Sequence, residues 1–192
     1  MQKKAVYTLH EKVLVVAGAG TGKTTVLTER IMFLLKTGVS EKNIYAFTFT
    51  NKAANEMKER IQTKLNKDID LNISTFHSYF FTILRLFPQY IGFDKGIQVL
   101  DEEDKKQVIK QIIKEHKIKM DDKDLITYIS KIKNHVDYDP LSVEEQIHLN
   151  KTFIEYQETL RRYNKLDFDD ILYYFKDLLD SSSFIREELQ NE

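Results

Sequence analysis

The chain has 192 residues, of which 42% are hydrophobic and 31% are charged, a composition typical of a folded globular protein and unlike that of a disordered one. No apolar run approaches the ~20 residues that span a bilayer, and the first residues lack a signal-peptide pattern. The absence of cysteine excludes disulfides and thiolate metal sites, and it fits an intracellular protein. The length allows one large domain or two small ones.

The net charge of -1 conceals an asymmetry along the chain. Residues 1–87 contain 13 Lys and Arg against 7 Asp and Glu, whereas residues 88–192 contain 16 against 23. The first part is therefore basic, which favours an anionic partner such as a nucleotide or a nucleic acid. Lysines on solvated helix faces would give the same count, so charge alone leaves both interpretations open.

The first half of the chain alternates between strand and helix patterns. Short apolar runs predict buried parallel strands, and the segments after them show the three- and four-residue spacing of amphipathic helices. Such alternation predicts a parallel sheet with crossover helices, an α/β fold. The predicted strands are 13–17, 44–49 and 72–75, and the helices after them run over 23–38, over 52–65 and up to Pro88.

After Pro88 the strand signals fade and helical patterns predominate. Acidic residues precede several of these patterns, where the dipole of a helix favours negative charge. The second part of the chain is therefore predicted to be a helical subdomain. Its predicted helices are 101–117, 122–134, 143–164 and 167–180.

The stretch from Ala17 to Thr24 meets the phosphate-binding pattern G-x-x-x-x-G-K-[ST], except that alanine replaces the first glycine. Its glycines let the backbone wrap closely around a phosphate, and the start of the next helix adds partial positive charge. Lys23 supplies a mobile charge, and the Thr24 hydroxyl is a ligand for Mg²⁺. A glycine-rich turn without a ligand is the alternative, but the order of strand, loop, lysine and helix predicts a nucleotide site.

Two further segments, Ala46–Ile61 and Ser74–Ser78, follow this P-loop. Together with it they resemble the UvrD/Rep/PcrA group of superfamily 1A DNA helicases, and the resemblance is most specific over residues 2–87. It implies a RecA-like P-loop NTPase sheet with crossover helices and an all-helical inserted subdomain. The implied domains are 1–87 as a partial 1A-like core, 88–164 as a 1B-like insertion and 165–192 as a helical return to the core.

The resemblance implies ATP and Mg²⁺ as cofactors and a catalytic role for Lys23. Gln2 lies where the family has a glutamine that reads adenine, whereas Thr25 departs from the arginine that the family often has directly after the GKT. The implied nucleotide-binding residues are Gln2, Ala17, Gly18, Ala19, Gly20, Thr21, Gly22, Lys23, Thr24 and Thr25, with Thr24 as the Mg²⁺ ligand.

The resemblance also implies DNA-binding residues, at the rim where parallel strands end and helices begin. An exposed aromatic at this rim can stack on a base, while hydroxyl, amide and ammonium groups hold phosphates. From the residues alone, Phe49 could equally continue an apolar alternation into the core, and His77 could be a helix cap or a core residue. The implied residues are Phe49, Thr50, Asn51, Lys52, Thr75, Phe76, His77 and Ser78.

The resemblance implies an ATP-dependent 3′-to-5′ DNA helicase, cytoplasmic and active in DNA repair or replication, that translocates on single-stranded DNA and meets junctions with duplex. No acidic pair follows an apolar strand in this sequence, and Asp169-Asp170 lies at a predicted helix start. We therefore expect the chain alone neither to hydrolyse ATP nor to unwind DNA, and expect further helicase domains in cis or in trans.

Two other function classes stay open. One is a non-catalytic nucleic-acid-binding module that retains the nucleotide pocket. The other is a different P-loop enzyme, such as a small-molecule kinase. An arginine-rich lid would indicate that kinase, and the sequence offers only Arg161-Arg162 on a predicted helix.

Overall fold

The chain divides into two compact units, an N-terminal unit of residues 1–78 and a C-terminal unit of residues 79–192. The fold is α/β, with helices predominating and with small parallel sheets, as the strand and helix patterns predicted. No helix in the described part of the chain is long and apolar enough to cross a membrane. The computed structural model describes residues 2–8, 12–18, 20–94, 96–136 and 142–191.

The N-terminal unit is built around one parallel pair of strands. Its elements are α1 (Gln2–Tyr7), α2 (Lys23–Lys36), β1 (Tyr45–Thr48), α3 (Asn51–Leu65) and β2 (Asn72–Thr75). β1 and β2 pair in parallel, with Thr48 opposite Thr75 at the carboxyl end of the sheet. α3 lies between the two strands in sequence, as the crossover that a parallel pair requires. Apolar side chains from α2, α3 and the strands form the core of this unit.

α3 shows how the local sequence sets the bounds of a helix. The Thr50 side chain accepts a hydrogen bond from the backbone N–H of Ala53 at 3.2 Å and caps the start, and Asn66 ends the helix in the left-handed conformation. Met57 and Ile61, four residues apart, are buried on one face. Burial of an apolar side chain of this size stabilises the fold by about 1.5–3 kcal/mol.

Residues 13–17 do not form the strand that their apolar pattern predicted. They carry no strand pairing, and the side chains of Leu14 and Val16 are 90% and 89% exposed. A buried strand needs a neighbouring strand for its backbone groups and a layer of structure over its side chains. Within the described residues of this unit, the strands that pair are β1 and β2 alone. The prediction was wrong because an apolar run becomes a strand only where a neighbour is present.

The C-terminal unit is mainly helical. Each of the four helices predicted after Pro88 is present, with bounds within two residues of those expected. One short parallel pair was not predicted, in which Gln98 lies opposite Lys165 and Val99 opposite Leu166. The elements are α4 (Phe76–Leu86, which begins in the N-terminal unit), β3 (Gln98–Val99), α5 (Glu102–His116), α6 (Asp122–Lys133), α7 (Val143–Arg162), β4 (Lys165–Leu166), α8 (Phe168–Ser181) and α9 (Ser183–Asn191).

Polar caps fix the starts of the helices in this unit. The side chain of Asp101 accepts from the backbone N–H of Asp104 at 2.7 Å, and that of Asp121 accepts from Asp124 at 2.8 Å. α7 and α8 each begin with a reciprocal capping box. The acidic residues before these helices therefore satisfy the first backbone donors, in addition to complementing the helix dipole.

Candidate functional site

The stretch from Ala17 to Thr25 forms a turn that leads into α2. Gly22 is the N-cap of α2 with φ 84° and ψ 26°, and Gly20 has φ 73°, both in the left-handed region that glycine tolerates best. The first N–H groups of a helix have no intrahelical partner, and no side chain among the described residues caps the start of α2. A helix start of this kind is suited to bind an anion.

The Lys23 side chain folds back over this turn. Its ammonium donates hydrogen bonds to the backbone carbonyls of Ala17 at 3.0 Å and Gly18 at 2.6 Å. The Thr21 hydroxyl donates to the same Gly18 carbonyl at 2.8 Å. The ammonium is therefore held beside the uncapped start of α2, where a mobile positive charge can meet a phosphate.

Gln2 contacts this turn from α1. Its side-chain amide nitrogen donates to the backbone carbonyl of Thr21 at 2.9 Å. A Cβ at Gly22 would lie 3.2 Å from the same nitrogen, so a side chain at position 22 would press on Gln2 as well as strain the backbone. The structure thus brings the predicted adenine-reading residue against the predicted phosphate-binding turn.

The Thr24 hydroxyl group belongs to the first turn of α2. The Thr24 side chain is exposed, and Mg²⁺ accepts oxygen ligands. The chemistry of this residue therefore fits its predicted role as a Mg²⁺ ligand. Ala19 lies outside the described residues. Of the other residues predicted to bind the nucleotide in this turn, Ala17 and Gly22 are half-buried. The rest are exposed: Gly18, Gly20, Thr21, Lys23, Thr24 and Thr25.

The predicted DNA-binding residues lie at the carboxyl end of the β1–β2 pair. Thr48 and Thr75 are opposite each other as the last residues of their strands, so the segments after them begin side by side. The hydroxyls of Thr75 and Ser78 are 2.9 Å apart, and the Ser78 hydroxyl donates to the Asn51 side-chain oxygen at 3.2 Å. Hydrogen bonds therefore connect the two sequence motifs.

The aromatic residues at this edge differ in their packing. Phe49 is fully exposed (101%), so it is an exposed aromatic at the rim and not a core residue. Phe76 is 52% exposed and stacks on Phe47, with ring centroids 4.5 Å apart. Lys52 is also exposed, and its ammonium lies 3.9 Å from the Glu56 carboxylate. An exposed ring can stack on a base, and an exposed cation can contact a phosphate.

Thr50 and His77 complete the set at this edge. The Thr50 side chain already caps α3, and its backbone carbonyl accepts from the Thr48 hydroxyl at 3.0 Å. His77 is half-buried as the second residue of α4. The edge thus offers an exposed ring, an exposed ammonium and a hydrogen-bonded set of small polar groups.

Residues 1–192 match the UvrD/REP helicase N-terminal domain family over their full length. The chain belongs to the UvrD/Rep helicase family. It is 37% identical to the ATP-dependent DNA helicase PcrA of Staphylococcus aureus (strain NCTC 8325 / PS 47), with all of this chain and 28% of the relative covered. It is 39% identical to PcrA of Bacillus subtilis (strain 168), with 90% of this chain and 25% of the relative covered. A probable DNA helicase II homolog of Mycoplasma capricolum is 35% identical, with 99% of this chain and 28% of the relative covered.

The C-terminal unit of this UvrD/Rep-family chain contains a buried ionic cluster that the sequence analysis missed. The Lys133 ammonium lies 2.8 Å from an Asp167 carboxylate oxygen and 2.7 Å from an Asp170 oxygen. The Lys105 ammonium lies 3.2 Å from Asp167, and the Tyr156 hydroxyl donates to Asp167 at 2.9 Å. These residues come from α5, α6, α7 and the start of α8, so the cluster joins four elements of one unit.

Burial and charge shift the pKa values in this cluster in opposite directions. Burial opposes ionisation of Asp167, but the Lys133 and Lys105 ammonium groups outweigh it and lower the pKa of Asp167. Burial raises the pKa of Asp170; the Lys133 charge opposes the rise and the Asp167 charge adds to it. Burial also disfavours the charged form of Lys105, yet the Asp167 carboxylate raises its pKa overall. The cluster thus keeps Asp167 ionised inside the protein.

The sequence carried one signal for this cluster. Lys105 lies four residues before the buried Ile109, and Lys133 lies four residues after the buried Ile129. A lysine on the apolar stripe of a helix needs a buried partner, but the spacing does not identify which one. The prediction that Asp169-Asp170 sits at a helix start was confirmed, since α8 begins at Phe168 and Asp170 closes its capping box.

Proposed function

We propose that this chain is the ATP-binding part of an ATP-dependent DNA helicase that translocates 3′ to 5′ along single-stranded DNA. The observation that carries the proposal is the position of Lys23, whose ammonium lies in the P-loop turn at the uncapped start of α2. The relatives are named ATP-dependent DNA helicases, which supports both ATP and DNA as ligands. The chain spans 28% of the length of PcrA from S. aureus, so the activity proposed is that of a longer protein.

In this proposal the phosphates of ATP occupy the turn between Ala17 and Lys23, against the first N–H groups of α2. The Lys23 ammonium exchanges its bonds to neutral carbonyls for bonds to phosphate oxygens, because an anionic oxygen attracts the ammonium more strongly than a neutral carbonyl does. Mg²⁺, when bound, neutralises phosphate charge, and the Thr24 hydroxyl would be one of its ligands. Gln2 would contact adenine.

Single-stranded DNA is the proposed second ligand, at the carboxyl end of β1 and β2. Phe49 stacks on a base, since its ring is fully exposed. Lys52 and the polar groups of the two motifs bind phosphates, which fix position without reading sequence. Junctions between single and double strands are proposed as substrates of the longer protein.

Alone, the chain is expected neither to hydrolyse ATP appreciably nor to unwind DNA. Hydrolysis needs acidic side chains that hold Mg²⁺ and orient water, as well as cations at the transition state. Asp170 is ion-paired with Lys133 and therefore is committed to the fold of the C-terminal unit. Further helicase domains, in cis or in trans, would supply the acidic pair and the arginine fingers, each finger being worth roughly 10³–10⁵ in rate.

The first test is a titration of the chain with a fluorescent ATP analogue and Mg²⁺. Lys23→Ala is expected to weaken binding at least about tenfold because it removes the phosphate-binding charge. Lys36→Ala is the matched control, since Lys36 is an exposed lysine at the other end of α2. Wild-type affinity in Lys23→Ala would contradict the proposed site. DNA-stimulated phosphate release above the Lys23→Ala level would contradict the proposed inactivity of the chain alone.

A non-catalytic nucleic-acid-binding module is the second candidate, and the fully exposed Phe49 favours it. In that case single-stranded DNA binds with a salt dependence set by phosphate contacts, and the ATP analogue leaves the affinity unchanged. An affinity that shifts with the analogue, and does not shift in Lys23→Ala, favours the helicase.

A further inference from the structure

Arg30, on α2, contacts the end of α1. Its guanidinium donates to the backbone carbonyl of Val6 at 2.8 Å and to that of Thr8. It also lies 5.9 Å from the centre of the Phe33 ring, and the Tyr7 ring meets Phe33 edge-on with centroids 5.1 Å apart. Arg30 and the Tyr7–Phe33 contact thus attach the last turn of α1 to α2.

α1 needs this attachment. It has six residues, and a helix that short is unstable in water without outside contacts. The last carbonyls of a helix lack intrahelical donors, and one terminal nitrogen of Arg30, Nη1, donates to two carbonyls at this end of α1. Val6 is the buried residue of α1, so one apolar side chain anchors the helix besides these bonds.

The other end of α1 carries Gln2, which donates to the Thr21 carbonyl of the phosphate-binding turn. Thr21 lies two residues before Lys23, and Arg30 lies seven residues after it, about two turns along α2. α1 is therefore fixed at both ends to the single segment that contains Lys23. The distance between Gln2 and the phosphate-binding groups follows from these two attachments.

We infer that Arg30 is a positioning residue for base selection: it holds α1 so that Gln2 meets the base of a nucleotide whose phosphates lie at Lys23. The inference rests on the proposed nucleotide site and concerns its selectivity. A side-chain amide has two N–H donors and one acceptor oxygen, so the bond to Thr21 uses one N–H. The second N–H and the oxygen form the donor–acceptor pair that matches adenine, whereas guanine presents two acceptors at the same edge.

The experiment is calorimetric titration with ATP, GTP and inorganic tripolyphosphate, each with Mg²⁺. We expect Arg30→Met to lower ATP affinity about tenfold and to leave GTP and tripolyphosphate within roughly twofold of wild type, because the phosphate contacts are untouched. Arg30→Lys should fall between the two, since one ammonium nitrogen can also donate to both carbonyls but sits on a shorter and more flexible side chain. Arg60→Met is the control, as Arg60 is an exposed arginine of the same unit.

A double-mutant cycle tests whether Arg30 acts through Gln2. Gln2→Ala alone should reproduce the loss of the preference for ATP over GTP. Adding Arg30→Met to Gln2→Ala should not change the ratio of ATP to GTP affinity any further. A merely structural Arg30 would instead weaken all three ligands together. If circular dichroism shows that Arg30→Met does not fold, Arg30→Lys replaces it in the cycle. The ratio of ATP to GTP affinity in Arg30→Lys, with and without Gln2→Ala, then tests whether Arg30 acts through Gln2.

The outcomes separate this inference from the proposed function. A wild-type chain that binds neither nucleotide nor tripolyphosphate overturns the nucleotide site and the role of Arg30 with it. A wild-type chain that binds ATP and GTP equally overturns the base-selection role alone. A wild-type ATP-to-GTP ratio in the Arg30 variants also overturns only the role of Arg30.

Discussion

One site in each unit of the chain shows charged side chains used in opposite ways. In the N-terminal unit, the Lys52 ammonium and the Phe49 ring are exposed at the end of a sheet. In the C-terminal unit, Lys133 and Asp167 are wholly buried and pair with each other. An exposed group keeps its capacity to bind a ligand, whereas a buried charge must be satisfied inside the protein. The surroundings of a charge, rather than the residue type, therefore separate the candidate binding residues from the structural ones here.

The largest expected effect comes from breaking the buried cluster. Lys133→Met removes a buried cation that contacts two carboxylates and leaves Asp167 and Asp170 under-compensated, at a cost of about 3–5 kcal/mol in unfolding free energy. Urea unfolding followed by circular dichroism measures it. Lys123→Ala, at an exposed position of the same helix, should stay within about 0.5 kcal/mol of wild type. Equal stability of the two variants would show that the cluster is not structural.

Below pH ~4, acid should destabilise the C-terminal unit through the same cluster. The folded pKa of Asp167 is lowered from 3.8 to about 2, so its stabilisation is present above pH ~4 and is lost as the pH falls toward 2. The loss amounts to about 2 kcal/mol. Asp170 acts with the opposite sign, because its pKa is raised to about 6 and its protonation favours the folded state as the pH falls from about 6 to 4.

Asp167→Asn isolates the contribution of Asp167 to the loss of stability in acid. Asparagine also caps helices well, so the variant keeps the cap of α8 while losing the titrating charge. Urea midpoints measured from pH 7 to pH 2 should fall steeply below pH 4 in wild type and more weakly in Asp167→Asn. Parallel curves for the two proteins would rule out Asp167 as the source.

Truncating the exposed ring should change DNA binding and leave stability intact. Phe49→Ala is expected to weaken single-stranded DNA binding by about 1–3 kcal/mol, the usual worth of one stacked base, with an unchanged unfolding midpoint. Fluorescence anisotropy with a labelled oligonucleotide reports the affinity. Phe184→Ala serves as the control, since Phe184 is an exposed ring of the C-terminal unit. Equal losses in both variants would make the effect nonspecific.

The smallest expected effect lies at Thr50, where a predicted binding residue also caps α3. Thr50→Ala should cost about 1 kcal/mol in stability, and Thr50→Ser should restore most of it because serine caps comparably. Thermal unfolding distinguishes the two. If Thr50→Ala lowers DNA affinity but not stability, the hydroxyl serves the ligand more than the helix.

The sequence predicted local features better than those that depend on distant partners. The helix 101–117 was expected and 102–116 is observed, because apolar periodicity and an acidic cap both lie within the segment. The strand 72–75 was predicted with its observed bounds. Residues 13–17 failed as a strand because pairing needs a neighbour that the pattern cannot supply. The six-residue α1 and the two-residue pair β3–β4 are too short to show periodicity.

The candidate site divides in the same way. The turn with Lys23 and the pair of motifs after β1 and β2 could be found from the sequence, since each is a contiguous pattern. The hydrogen bond between Ser78 and Asn51 could not, because it joins residues from different elements. The roles of Arg30 and the buried Lys133 could not be predicted from the sequence either. The partners of each cation are carbonyls or carboxylates that other elements of the fold supply.

The full exposure of Phe49 has an optical consequence, because the chain contains no tryptophan. Phe49→Trp would place a single indole at the edge of the β1–β2 pair, where its emission would start in water-exposed surroundings and its signal would not overlap with another indole. Stacking on a nucleobase would quench that emission. If single-stranded DNA binds at this edge as proposed, a rapid-mixing fluorimeter could follow its arrival and departure at one defined point of the protein, without any attached dye.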